Sequence, residues 1–191
     1  TGGITTLTAS GTATTYTWSG SVVDGAAFAP AATDTYTVTG TDVNNCVNMA
    51  SIMVTVNNLP TVQANATATV VCAGDMTTLS GSGTATTYTW SGSVVNGAAF
   101  APAATDTYTV TGTDANNCSN TASVMVTVNN LPTVQANATA TVVCAGDMTT
   151  LTAGGTATTY TWSGSVVNGA AFAPSATDTY TVTGTDGNGC S

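Results

Sequence analysis

The chain has 191 residues, 42% of them hydrophobic, and takes its net charge of −9 from nine acidic residues, all aspartate; Lys, Arg, His and Glu are absent. That apolar content supports buried cores, and an unbroken negative surface excludes nucleic acid and anionic lipid surfaces as partners. No run of 18 apolar residues offers membrane insertion, and the usual general bases, Schiff-base amines and anion clamps are missing, which argues against an enzyme and leaves no catalytic residue to nominate.

A 72-residue repeat organises the chain. The stretch TATTYTWSGSVV at 12–23 returns unaltered at 84–95 and 156–167, and NNLPTVQANATATVVCAGDMTTL at 57–79 returns at 129–151. Copies this alike point to recent duplication and to a repetitive job such as giving length. The first copy, residues 1–58, opens on TGGITTLTAS, which has neither the basic region nor the apolar core of a signal peptide, so Thr1 reads as an interior point of a longer protein. This copy lacks a first strand and ends in the seam NNLP at 57–60, where proline stiffens a short linker.

The second copy, residues 59–130, is the complete one. Val62, Ala64, Ala66, Ala68 and Val70 alternate with Gln63, Asn65, Thr67 and Thr69, which predicts a single first strand running the length of the body. Turn punctuation follows at AGD from Ala73, SGSG from Ser80, NG at Asn96 and DANN from Asp114. Between these turns Tyr88 and Trp90 alternate with threonines, as do Tyr108 and Val110, and Val124, Val126 and Val128 close the unit. Threonine suits the solvent face of such strands because its branched Cβ fits the pleat. The third copy, residues 131–191, repeats the pattern without the last strand. Seven short strands per copy, with no helical pattern between them, predict an all-β fold of tandem antiparallel β-sandwiches. Either the chain's limits cut two copies, or a neighbour's strand completes each open sheet. Short seams stack the copies as an end-to-end rod, at about 35–40 Å per copy from strand rise.

Two details make the sandwich immunoglobulin-like. Trp90 falls on the third strand, where such folds bury an indole, and Tyr108 opens the sixth in the manner of a tyrosine corner, ring inward and hydroxyl bonded to nearby backbone. Trp18 and Trp162, with Tyr36 and Tyr180, hold the same positions in the other copies, so these six aromatics are the expected core. Val110 stands where antibody domains carry cysteine, so packing alone joins the two sheets.

In that order and spacing, CAGDMTTLSGSG, YTWSG, TDTYTVTGTDANNC and ASVMVTVNNLP resemble the Ig-like or PKD-like repeats of very large surface adhesins of Bacteroidota. Those proteins are exported by type IX secretion and include gliding-motility adhesins. The resemblance implies a structural stalk or filament segment outside the cell, extending a binding tip from its surface. Its partners are then neighbouring repeats of the same chain and identical chains in a filament. The alternative is a carbohydrate-binding module in which Tyr88 and Trp90 form an exposed platform; burial of the indoles separates the two.

Two chemistries remain. Asp114, Asn116 and Asn117 cluster as in a calcium loop, against the plainer reading that they satisfy their own turn; no other cofactor is implied. Five cysteines in an extracellular-looking repeat read as disulfides, and alignment of the copies puts a further cysteine just before Thr1. An unbroken first strand separates Cys72 from Cys118 by roughly 30 Å, whereas bonded cysteines hold their Cα atoms about 4.4–6.8 Å apart. Cys72 then faces Cys190 across the joint between copies. A broken strand restores the alternative, Cys72–Cys118 and Cys144–Cys190 within copies, and free thiols are the third reading.

Overall fold

Most of the alternating runs become strands in the computed structural model, which describes residues 3–191. Contacts divide the chain into two units, Thr1–Pro60 with Asp114–Cys118, and Thr61–Thr113 with Ser119–Ser191. The boundary at Pro60 falls in the NNLP seam, and most of the second copy clusters with the third.

In the first unit β1 (Thr5–Thr6) pairs with β3 (Ala27–Phe28), and β2 (Thr15–Trp18), β4 (Asp34–Thr41) and β5 (Val47–Val54) form an antiparallel sheet in the order β2-β4-β5. Leu7, Trp18 and Tyr36 are buried between the two, with Phe28, Val38 and Val54 packed around them. One side of this core is open: Ala50 is exposed and Ile52 is 50% exposed, although both stand at inward positions of β5.

In the second unit the complete copy supplies β6 (Val62–Ala66), β7 (Val70–Cys72), β8 (Thr77–Gly83), β9 (Thr87–Trp90), β10 (Ala99–Phe100), β11 (Asp106–Thr113) and β12 (Ser119–Asn129). They form two sheets, β10-β8-β6 and β7-β12-β11-β9. Val71, Leu79, Trp90, Tyr108, Val110 and Val126 make the buried core, with Val62, Ala64, Ala66 and Val124 packed against it. Two sheets closing on one apolar layer give a β-sandwich-like body.

Three expectations change here. The first strand is not continuous: β6 pairs antiparallel with β8, the chain breaks at 67–69, and β7 joins the other sheet parallel to β12. So the pairing is not wholly antiparallel. The break is stabilised by Thr77, only 2% exposed, whose hydroxyl donates to the Ala68 carbonyl at 2.8 Å and accepts from the Ala68 N–H at 3.2 Å. A side chain thus replaces the ladder bonds lost where the chain changes sheets. Alternation hid the break because Ala68 stays turned to the core through it. Likewise SGSG is not a turn but the body of β8. Its glycines are there for close approach: a Cβ on Gly81 would lie 2.6 Å from Tyr88 Cδ1, and one on Gly83 would run into the Thr61 carbonyl.

The third copy contributes β13 (Val134–Ala138), β14 (Thr149–Gly155), β15 (Thr159–Trp162), β16 (Ala171–Phe172) and β17 (Val182–Thr185), in sheets β13-β14-β16 and β15-β17. No strand among the described residues plays the part of β12. Accordingly Val142, the counterpart of Val70 in β7, is in no strand and is 88% exposed, against 58% for Val70.

Candidate functional site

The stretch repeated three times, TATTYTWSGSVV, folds as a strand, a tight turn and an exit. In the complete copy Gly92 and Ser93 sit at φ 66° and 58°, the left-handed region that favours glycine. The turn backs onto Tyr108, whose ring lies 3.6 Å from where a Gly92 Cβ would stand. Ser91 Oγ accepts the Thr109 N–H at 3.0 Å, fixing the turn to β11. Tyr108 meets Phe100 edge-on, with centroids 5.3 Å apart, and burial, with the Asp106 carboxylate adding to it, raises its phenol above the ordinary range. Its hydroxyl makes no backbone hydrogen bond among the described residues, so the corner is one of packing rather than of hydrogen bonding.

The indoles are inside. Trp18, Trp90 and Trp162 are 8%, 8% and 5% exposed, while Tyr88 is half-buried. Trp90 Nε1 donates to Asn96 Oδ1 at 2.9 Å, and the same oxygen accepts the Gly81 N–H of β8 at 2.7 Å. One amide oxygen therefore clips β9, the NG turn and β8 together. Asn168 does this for Trp162 and Ala153, and Asp24 does it for Trp18 and Ala9, at 2.9 and 2.7 Å. The signal in the sequence is the exchange of Asp24 for Asn96 and Asn168, two residue types that share only this oxygen. Tyr36 and Tyr108 are buried as expected, but Tyr180 is only half-buried, because residues 178–181 have no strand paired beside them among the described residues.

At one end of the complete copy, Cys72 closes β7 level with Asn129 at the end of β12, and the Ala73 N–H donates to the Asn129 carbonyl at 2.8 Å. Cys190 closes the loop after β17, where its N–H donates to Asp186 Oδ1 at 2.9 Å and its carbonyl accepts the Asp186 N–H at 3.0 Å. Cys72 and Cys190 are disulfide-bonded, with Cα atoms 5.6 Å apart, and Cys190 is 1% exposed. The pairings Cys72–Cys118 and Cys144–Cys190 are not formed; Cys46, Cys118 and Cys144 are free thiols. Breaking the first strand did not bring about the bond within the copy, because the break changes the sheet and not the direction. Cys72 still lies beside Asn129, a run of ten residues, or roughly 33 Å, from Ser119 at the other end of β12.

Of the calcium candidates, Asp114 turns one carboxylate oxygen to its own loop. Asp114 Oδ1 accepts the N–H groups of Asn116 and Cys118 at 2.8 and 2.9 Å, and Asn117 takes φ 61°. This is an Asx turn; among the described residues no three acidic or cysteine side chains converge as a metal site. No helix of the described residues is long and apolar enough to cross a membrane. No protein-family model matches the chain, and neither does any curated protein.

Proposed function

We propose that this chain is a structural stalk segment of a very long extracellular adhesin, of the Bacteroidota type its motifs resemble. In that reading immunoglobulin-like repeats stack end to end and hold a binding tip away from the cell surface. The observation that carries it is the Cys72–Cys190 bond. It ties the end of one repeat to the next rather than closing a repeat on itself, which is what a spacer under tension requires and a lone recognition module does not. A disulfide also suits an oxidising, non-cytoplasmic setting. Burial of all three indoles removes the aromatic platform that a carbohydrate module needs. Screening the folded protein on a glycan array, with iodide quenching of tryptophan fluorescence alongside, checks this. The expected result is no saturable binding and shielded indoles. Binding that Tyr88→Ala abolishes would replace the stalk with the carbohydrate module.

A further inference from the structure

Three Asn-Gly pairs occur in the sequence, Asn96–Gly97, Asn168–Gly169 and Asn188–Gly189, and Asp24–Gly25 stands in the first copy where the first two stand in theirs. Asparagine before glycine is where a polypeptide most readily loses amide nitrogen. Without a Cβ, glycine leaves its own backbone nitrogen open to attack the asparagine carboxamide carbon. The new C–N bond closes a cyclic imide as ammonia leaves, carrying off the proton that the glycine nitrogen gives up. Water then opens the imide at either carbonyl and yields aspartate or isoaspartate.

The fold anchors both reacting groups of the first two pairs. Asn96 Oδ1 accepts the Trp90 Nε1–H and the Gly81 N–H at 2.9 and 2.7 Å, so the carboxamide is turned to β8. The Gly97 N–H donates to the Leu79 carbonyl of the same strand at 2.8 Å, which ties the attacking nitrogen as well. The third copy repeats this. Asn168 Oδ1 accepts from Trp162 and Ala153 at 3.1 and 2.7 Å, and the Gly169 N–H donates to the Leu151 carbonyl at 2.8 Å. Cyclisation has to break these bonds first. Asn188 differs: it is exposed, its carboxamide makes no hydrogen bond among the described residues, and the Gly189 N–H reaches only the Asp186 carbonyl of its own loop, at 3.2 Å.

We propose that Asn96 and Asn168 are latent deamidation sites, held unreactive by the clip and converted only when their copy opens. Asp24 shows what conversion to aspartate does. It holds the Trp18 and Ala9 donors at 2.9 and 2.7 Å, so a copy carrying aspartate closes on the same clip. Isoaspartate does not, because its main chain runs through the former side-chain carbon and the carboxylate leaves the place of Oδ1. Opening thus leaves a permanent chemical mark on the copy. This goes beyond the stalk reading and needs neither it nor the disulfide.

The test incubates the full 191-residue chain at mildly alkaline pH, either folded or reduced and denatured, and maps it with chymotrypsin after reduction. Cleavage after the Trp and Phe of each copy releases SGSVVNGAAF from 91–100 and 163–172, and SGSVVDGAAF from 19–28. The last is the aspartate product's own sequence and so a built-in standard. In the denatured chain SGSVVNGAAF gives way to SGSVVDGAAF and its isoaspartyl isomer. In the folded protein the same loss is at least about tenfold slower, because two bonds to the carboxamide and one from the glycine N–H must break first. Asn188, read in the peptide 181–191, converts ahead of both. Loss of SGSVVNGAAF from the folded protein as fast as from the denatured chain overturns the proposal. So does loss no slower than conversion at Asn188, since the clip would then protect nothing.

Discussion

Removing the Cys72–Cys190 bond should lower the stability of the second unit and leave the first untouched. The bond spans 118 residues. In the chain-entropy treatment the closed loop reduces the disorder of the unfolded chain by about 16 cal/mol/K, which is about 5 kcal/mol at 25 °C and an upper bound. At about 2–4 °C per kcal/mol for a chain of this size, Cys190→Ser should lower the melting temperature of the second unit by about 10–20 °C. Scanning calorimetry of the oxidised protein, the Cys190→Ser variant and a Cys118→Ser control measures this. Thiol titration in denaturant gives three free thiols before reduction and five after. Cys118→Ser should behave as the parent, since Cys118 is unbonded. A melting temperature unchanged by Cys190→Ser, in a protein whose thiol count had risen to four, would refute the reasoning: the joint would then be held by packing, and the bond would be incidental to it.

Other outcomes follow from the same geometry. Asn96→Ala leaves the Trp90 and Gly81 N–H groups without their shared acceptor and should cost about 2–4 kcal/mol by denaturant titration, whereas Asn96→Asp, which reproduces Asp24, should stay within about 0.5 kcal/mol. Tyr108 holds its proton more tightly folded than unfolded because burial and Asp106 disfavour the phenolate; that stability is fully present below the unfolded value of about 10 and is lost as pH rises through the higher folded value. Ultraviolet titration should therefore show one tyrosine ionising late, and Asp106→Asn should bring it earlier. Trypsin should leave the chain whole even when denatured and reduced, since it has no Lys or Arg; mass spectrometry finding internal fragments would contradict this.

Much of the fold was legible because strands announce themselves by period two, with the core aromatics alternating against threonines and the seam and the NG turn as punctuation between the runs. What escaped was chemistry that keeps the same period. Ala68 alternates correctly through a break that only the buried Thr77 hydroxyl accounts for. Gly81 and Gly83 spell a turn but serve close approach within β8. The clip at Asn96 depends on two donors, one of them a backbone N–H that no sequence pattern marks. The cysteine pairing was legible for a reason that outlived its premise: strand direction, not strand continuity, keeps Cys72 away from Cys118. Tyr180 was misplaced because burial there depends on a paired strand, which its own local sequence does not encode.

The central claim is that repeats stack end to end and are locked at the joint. Small-angle X-ray scattering of the oxidised 191-residue chain tests it most directly. If three repeats of about 35–40 Å each stack as proposed, the radius of gyration is roughly 30 Å, with flexibility increasing on reduction. A radius near 16 Å, about that of a compact globule of this length, would contradict it.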